Sequence, residues 1–276
     1  MTGMERYLET NRDLWDGWTE IHRQSSFYAL DAFLAGGSSL NEIEVAALGD
    51  VKKKKLLHLQ CHFGQDTLSW ARLGAETTGV DFSERAIDLA RDLAMEVGLT
   101  SQFLCAEVTS LPAEWTERFD VVFSSYGVLP WLPDLNSWAR TIERVLRPGG
   151  DFHLVEFHPL TGMLDDDGRT MRYPYFHSPV PGEHKVQGSY AEREAPFSHG
   201  SFEWAHSLED LLMALIGAGL TICEFREFPY SPYGCFEYLE EEEPGRWEVR
   251  GAMEKLPLVF RLRASKREKE GAGPAC

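Results

Sequence analysis

The sequence predicts an α/β fold, a mostly parallel sheet with helices on both faces, and three observations carry that prediction. Seven short apolar runs are separated by stretches of helical period from Leu56 onward, the alternation a parallel sheet produces because each crossover is usually a helix. Several runs end directly on a turn or an acid, at Gly64, Asp81 and Glu107. A chain of 276 residues with 43% hydrophobic content has apolar surface enough for one such domain and a modest appended element.

Residues 5–50 carry Trp15, Trp18, Phe27 and Tyr28 at helical spacing, broken by Gly36-Gly37-Ser38-Ser39, and read as helical cover. The first strand, Leu56-Leu57-His58-Leu59, runs into Gln60-Cys61-His62-Phe63-Gly64, after which Leu68, Ala71 and Ala75 share a helical stripe. Strand two, 77–80, ends at Asp81; Ser83 can cap the next helix, which carries Ile87, Ala90, Leu93, Ala94 and Val97 and closes at Gly98. Strands three and four are 102–106 and 119–123. A helix with Trp138, Ile142, Val145 and Leu146 stops at Pro148-Gly149-Gly150, and strand five is 152–157.

The rhythm then breaks. Residues 158–202 are rich in Pro, Gly, His and Tyr, hold the patch Asp165-Asp166-Asp167, and are too long for a plain connection. Their aromatic content, from Tyr173 to Phe202, predicts a folded lid. Ser207 and Asp210 open a last helix with Leu211, Leu212, Leu215 and Ile216 on its apolar face, ended by Gly217 and Gly219. Strands six and seven fall near 221–228 and 257–264, the acidic run Glu240–Glu243 lies in the loop between them, and residues beyond Lys266 read as a tail.

The 27 basic and 44 acidic side chains leave a net charge of −17, which repels a phosphate backbone and an anionic membrane surface. No nucleic acid or membrane partner is therefore expected, and the Lys52–Lys55 cluster reads as a solvated loop. Five scattered cysteines without a Cys-x-x-Cys pair argue for reduced thiols rather than a disulfide framework or zinc site. The charged N-terminus and the absence of a long apolar run place the protein in the cytoplasm; a monomer or homodimer is expected. His177, His199 and His206 match no ligand spacing, so no metal is expected.

In an open parallel sheet a ligand sits beyond the carboxyl ends of the strands, where strand order reverses. Asp81 closes a strand 17 residues beyond Gly64, a position from which a carboxylate can accept both hydroxyls of a ribose or simply cap the following helix. The stretch from about 56 to 160 resembles the class I S-adenosylmethionine-dependent methyltransferases, and the chain as a whole is similar to their bacterial small-molecule branch. The residues that carry the resemblance are Leu56 to Gly64, Gly79-Val80-Asp81-Phe82-Ser83, Ala106-Glu107-Val108, Phe119-Asp120-Val121-Val122-Phe123-Ser124-Ser125 and Leu146-Arg147-Pro148-Gly149-Gly150. The departure is in the first turn, where the family's acid-x-Gly-x-Gly-x-Gly reads His58-Leu59-Gln60-Cys61-His62-Phe63-Gly64.

The resemblance implies a Rossmann-like, doubly wound, mostly parallel seven-stranded sheet with an antiparallel last strand. It implies that Gln60, Cys61, His62 and Gly64 cradle the methionine part of S-adenosylmethionine, that Asp81 holds the ribose with Phe82 beside the adenine, and that Glu107 and Val108 accept the adenine amino group. Ser124, Ser125 and Tyr126 would line the cofactor on the acceptor side. Methyl transfer is an in-line displacement in which alignment alone supplies about 7 to 11 kcal/mol, so a general base is optional. His158 is the candidate for that role, with Glu156 as its orienter or substitute, and Tyr126 with Trp131 to meet a small-molecule acceptor.

The expected organisation is a helical cover at 1–50, the cofactor-binding half at 51–158, the lid inserted after strand five at 159–205, the last helix and two strands at 206–265, and a tail at 266–276. Two other readings stay open: a nicotinamide-dependent oxidoreductase, which shares the strand-turn-acid logic, and a catalytically silent binding protein of the same fold.

Overall fold

The computed structural model describes residues 3–165, 167–249 and 256–268. Three helices open the chain, α1 (Gly3–Gln24), α2 (Leu30–Leu34) and α3 (Glu42–Leu48), where the aromatic spacing predicts helical cover. The alternating part runs β1 (Lys55–Leu59), α4 (Gln65–Arg72), β2 (Glu76–Asp81), α5 (Glu84–Glu96), β3 (Gln102–Cys105), β4 (Phe119–Ser125), α6 (Leu135–Val145), β5 (Leu146–Phe157). The lid contains a hairpin, β6 (Gly182–Gln187) and β7 (Ser198–Glu203). Then come α7 (Leu208–Gly217), β8 (Leu220–Phe228), a second hairpin of β9 (Leu239–Glu243) and β10 (Arg246–Val249), and β11 (Val259–Lys266).

Seven strands form one sheet in the order β3-β2-β1-β4-β5-β11-β8. Strands β1 to β5 pair in parallel, and β11 is antiparallel to both its neighbours, β5 and β8. Chain order runs outward from β1 to β3 on one side and from β4 on the other, so the reversal falls between β1 and β4. The turns after these two strands therefore share the crevice where a ligand belongs. Under α6 and α7 the sheet buries Phe119, Phe152 and Trp138; on the opposite face Leu56, Trp70, Phe123 and Val155 pack with Ile43 of α3.

Local signals act as expected at two helix starts. The Ser83 hydroxyl accepts from Ala86 N at 3.1 Å, and Ser207 and Asp210 form a reciprocal capping box. Elsewhere the structure corrects the sequence reading. Helix α6 ends at Val145 because Arg147 precedes a proline and is held off the α region; β5 accordingly starts at Leu146, six residues before the expected strand. Lys266, assigned to the tail, ends β11, its Nζ donating to Glu143 O at 2.8 Å; residues 269–276 of that tail, and Asp166 of the lid patch, lie outside the described residues. Glu240–Glu243 is a hairpin strand rather than a loop, with Glu241, Glu242 and Glu243 exposed. Cys61, Cys105 and Cys235 are free. No helix among the described residues is long and apolar enough to cross a membrane.

The lid is folded and fixed to the N-terminal helix. Asn11 Nδ2 donates to Phe202 O at 2.7 Å while Phe202 N donates back to Asn11 Oδ1 at 2.8 Å, and Trp18 Nε1 donates to Gly188 O at 2.8 Å. On the other side Trp204 N reaches Pro130 O at 2.9 Å, tying β7 to the loop after β4. These bonds roof the crevice.

Candidate active site

The roofed crevice is a cavity of about 890 Å³, at the upper end of the range for small-molecule sites and large enough for two ligands side by side. Its floor is the turn after β1. Three residues there have the positive φ that glycine adopts most readily: Gln60 at 55°, His62 at 50° and Gly64 at 79°. The backbone thus keeps the left-handed conformations a glycine pattern would provide, and each non-glycine residue there costs about 1–3 kcal/mol. The two side chains are drawn aside. Gln60 Nε2 donates to Val128 O at 2.9 Å, and the His62 ring packs against Trp15, His22, Tyr28 and Phe63. Gln60 Oε1 and His62 Nδ1 are left buried without partners, polar atoms at the cavity floor that a ligand could engage. Cys61 and Gly64 also line the cavity.

Asp81 ends β2 at the same floor. Its Oδ2 accepts from His62 N at 2.8 Å and its Oδ1 from Ser83 N at 2.9 Å; a carboxylate has about four acceptor positions, so two remain for hydroxyl donors. Burial pushes its carboxyl up to about 6 against the pull of those backbone bonds. Asp81 thus bonds the start of α5, as the capping reading expects, and also lines the cavity, beside Phe82.

Glu107 and Val108 stand elsewhere. The Glu107 carboxylate pairs with Arg12 of α1 at 3.2 Å, Arg12 also lying over the Phe82 ring, and Val108 belongs to the apolar core. Neither is on the cavity wall as α1 lies here. Ser124 is fully buried, its hydroxyl unpartnered, whereas Ser125 lines the wall and donates to Asp66 Oδ2 at 3.3 Å.

Another part of the cavity wall is aromatic. Tyr126, at φ 41°, packs on Tyr233 and Phe157 at ring-centroid distances of 5.0 and 5.6 Å. Trp131 meets Trp15 at 5.4 Å, and Trp15, Trp18 and Tyr28 of the N-terminal cover all reach the cavity. The Tyr28 and Tyr190 hydroxyls bond to each other across it, joining cover to lid.

Glu156 is occupied by backbone. Its two oxygens accept from the N–H groups of Gly127, Val128 (2.8 Å), Leu129 (3.1 Å) and Phe157 (2.7 Å), and the loop after β4 is shaped around them. Burial raises its carboxyl, and the four N–H groups pull the other way. His158 also lines the cavity, but Leu160 N donates to its Nδ1 at 3.2 Å, and its Nε2 stands 3.0 Å from Glu227 Oε1 without the alignment of a formed hydrogen bond. Burial lowers its pKa and Glu227 partly restores it. With both nitrogens next to protein groups, the imidazole is a poor acceptor for a proton from a ligand, and Glu156 does not orient it.

Sequence reasoning missed Asp66, Ser39 and Glu44. Ser39 Oγ donates to Asp66 Oδ1 at 2.6 Å, and Asp66 faces the cavity from the first turn of α4. Its position two residues after Gly64 was the available signal. His58, where the family carries an acid, is buried and bonds Thr67 Oγ1 at 2.9 Å through Nδ1, with burial pushing it down to about 3.

The fold has counterparts among known proteins. Residues 57–154 match a family model described as a methyltransferase domain. A ubiquinone biosynthesis O-methyltransferase of Proteus mirabilis is 34% identical over 111 residues, 40% of this chain and 44% of that protein. Its namesake from Bordetella avium is 28% identical over 102 residues, 37% and 42% of the two chains. These matches span less than half the length of each relative. Among solved structures, an S-adenosylmethionine-dependent methyltransferase from Mesorhizobium loti has the same fold with a TM-score of 0.55 at 21% identity, covering 84% of this chain and 100% of the other. The PH0226 protein of Pyrococcus horikoshii gives 0.56 at 18% identity, covering 90% and 99%.

Proposed function

We propose, for a chain that carries a class I S-adenosylmethionine-dependent methyltransferase domain, that it moves a methyl group from S-adenosylmethionine to a small-molecule acceptor inside the roofed cavity. The observation that carries this reading is the turn after β1. Its backbone keeps the φ values of a glycine pattern although two of the glycines are gone, and its floor continues into Asp81 and Phe82.

Each residue then has a physical task. The turn from Gln60 to Gly64 leads into the N-terminus of α4, whose positive end favours the carboxylate of the cofactor's amino-acid part. The N–H groups of Cys61, His62 and Gly64 are spent on Val80 O, Asp81 Oδ2 and Cys61 O. Asp81 takes the ribose hydroxyls with its spare acceptor positions, and Phe82 flanks the adenine. Glu107 keeps acceptor positions beside its contact with Arg12 but does not line the cavity as α1 lies, so it meets the adenine amino group only if α1 moves. When bound, the cofactor supplies an electrophilic methyl on a sulfonium. Tyr126, Trp131 and the cover residues hold the acceptor in line and keep water out, which is the larger part of the catalysis needed. Glu156 positions the loop that carries Tyr126, and no side chain of this chain is required to remove a proton before transfer. A small-molecule acceptor is supported by the lid and N-terminal helix that cover part of the cavity; the names of the curated relatives point the same way. The protein's net charge of −17 speaks against nucleic acid or an anionic membrane surface as its partner.

The test is calorimetric titration with S-adenosylhomocysteine and with NAD. Binding of the first and not the second is expected. Affinity for NAD alone would favour the oxidoreductase reading, and affinity for neither the silent one.

A further inference from the structure

The cavity wall is unusual in its charges. Asp66, Asp81, Glu156 and Glu203 line it, while no Lys or Arg does among the described residues. Glu156 is saturated by backbone N–H groups and Asp81 is half satisfied by them. Asp66 differs, since its partners are the hydroxyls of Ser39 and Ser125, neutral donors that do not compensate a charge. Burial raises its carboxyl, which the two hydroxyls only partly offset.

A second, independent feature adjoins it. Glu44 of α3 has 0% of its surface exposed. Its Oε1 accepts from Asn41 Nδ2 at 3.1 Å, and its Oε2 has no partner. The Tyr126 hydroxyl stands beside the Glu44 carboxylate and interacts with it, without the alignment of a fully formed hydrogen bond. Asn41 also donates to the Tyr233 hydroxyl at 2.8 Å, and Tyr126 and Tyr233 meet edge to face. Desolvation and the neighbouring Asp66 raise the Glu44 carboxyl to about 7. Two carboxylates and two tyrosine rings thus converge with no Lys or Arg on the cavity wall among the described residues, an arrangement that is costly unless a positive group completes it.

We propose that Asp66, backed by Glu44 and ringed by Tyr126 and Tyr233, is a subsite for an alkylammonium group. The rings add cation–π attraction and exclude water. Two sources could supply the ammonium: the methionyl end of the cofactor, placed by the adjoining turn, or an amine on the acceptor. The inference deepens the proposed function and rests on it for the first source alone.

The test compares wild type with Asp66→Asn and Glu44→Gln by calorimetry. The probes are S-adenosylhomocysteine; 5′-methylthioadenosine, the same nucleoside without the amino acid; and tryptamine, a flat ring bearing an alkylammonium. If the cofactor supplies the group, Asp66→Asn weakens S-adenosylhomocysteine by about 10- to 100-fold, the range of a lost hydrogen bond to a charged group, and leaves 5′-methylthioadenosine within about twofold. If the acceptor supplies it, tryptamine binding falls instead. Glu44→Gln gives a smaller loss in the same arm. Equal weakening of both nucleosides would mean a purely structural Asp66, and no change in any arm would mean no subsite; either overturns the proposal. A wild-type protein that binds neither nucleoside defeats the cofactor reading separately. The tryptamine arm then decides the subsite, by an Asp66-dependent affinity or the lack of one.

Discussion

The Nδ1 atom of His22, on the helix that roofs the cavity, lies 2.8 Å from the Nε2 atom of His62 on its floor. Burial takes His22 down to about 3, and burial together with His22 takes His62 well below its ordinary value. The pair is therefore neutral in the folded protein, one ring donating to the other.

This sets an acid-side prediction. A depressed histidine gives stability that is complete above the unfolded value near 6.5 and is lost as pH falls toward the folded one. His22→Phe removes one such group, so between pH 7 and 4 it should lose less stability than wild type, by up to about 3 kcal/mol. Urea denaturation at the two pH values measures this, and parallel losses would refute it.

Glu44 works with the opposite sign. Its carboxyl is raised from 4.5 to about 7, so stability is complete below about pH 4.5 and is lost as pH rises through 7. Glu44→Gln carries no such burden and should be the more stable form at pH 8 relative to pH 4.5, by a few kcal/mol at most, since a tenfold change in proton affinity corresponds to roughly 1.4 kcal/mol. An unchanged pH profile in the variant would show that Glu44 ionises freely in the fold.

Glu156 separates two roles that a sequence cannot. If it holds the loop after β4 through four backbone N–H groups, Glu156→Gln turns an amide donor against them and should lose about 3–5 kcal/mol of stability. A variant with wild-type stability but a collapsed methyl-transfer rate would restore the general-base reading.

Two acids at the carboxyl ends of neighbouring strands should respond unequally. Asp81→Ala is expected to weaken S-adenosylhomocysteine by at least about 30-fold, as two hydrogen bonds to a charged group are lost, whereas Glu107→Ala, its carboxylate already paired with Arg12, should change affinity by less than about threefold. Titration of the two variants checks this; the reverse order would mean that α1 swings away when ligand enters.

The sheet was legible because periodicity and turn residues report on backbone pairing within a few residues. All five parallel strands and the capping pair at Ser207 and Asp210 follow from such local patterns. Asp81 was legible for the same reason, as an acid at a strand end. What stayed hidden depends on contacts far apart in sequence: Arg12 reaching Glu107 across 95 positions, Asp66 meeting Ser39 and Ser125, and Glu227 coming beside His158. Glu156 shows the limit most plainly, since nothing in its neighbours reveals that backbone N–H groups from another strand's loop occupy it. Gln60 and His62 could be seen as departures from a glycine pattern, but only coordinates show that the left-handed φ values survive the change.

The account turns on whether that turn and Asp81 hold a nucleoside. A crystal structure of the protein with S-adenosylhomocysteine tests it most directly. The account predicts both ribose hydroxyls within hydrogen-bond distance of the Asp81 carboxylate, and the sulfur facing the wall formed by Tyr126 and Trp131. Nucleoside density anywhere other than over Gln60 to Gly64, or a floor closed by His62 with no nucleoside bound at saturating ligand, would contradict it.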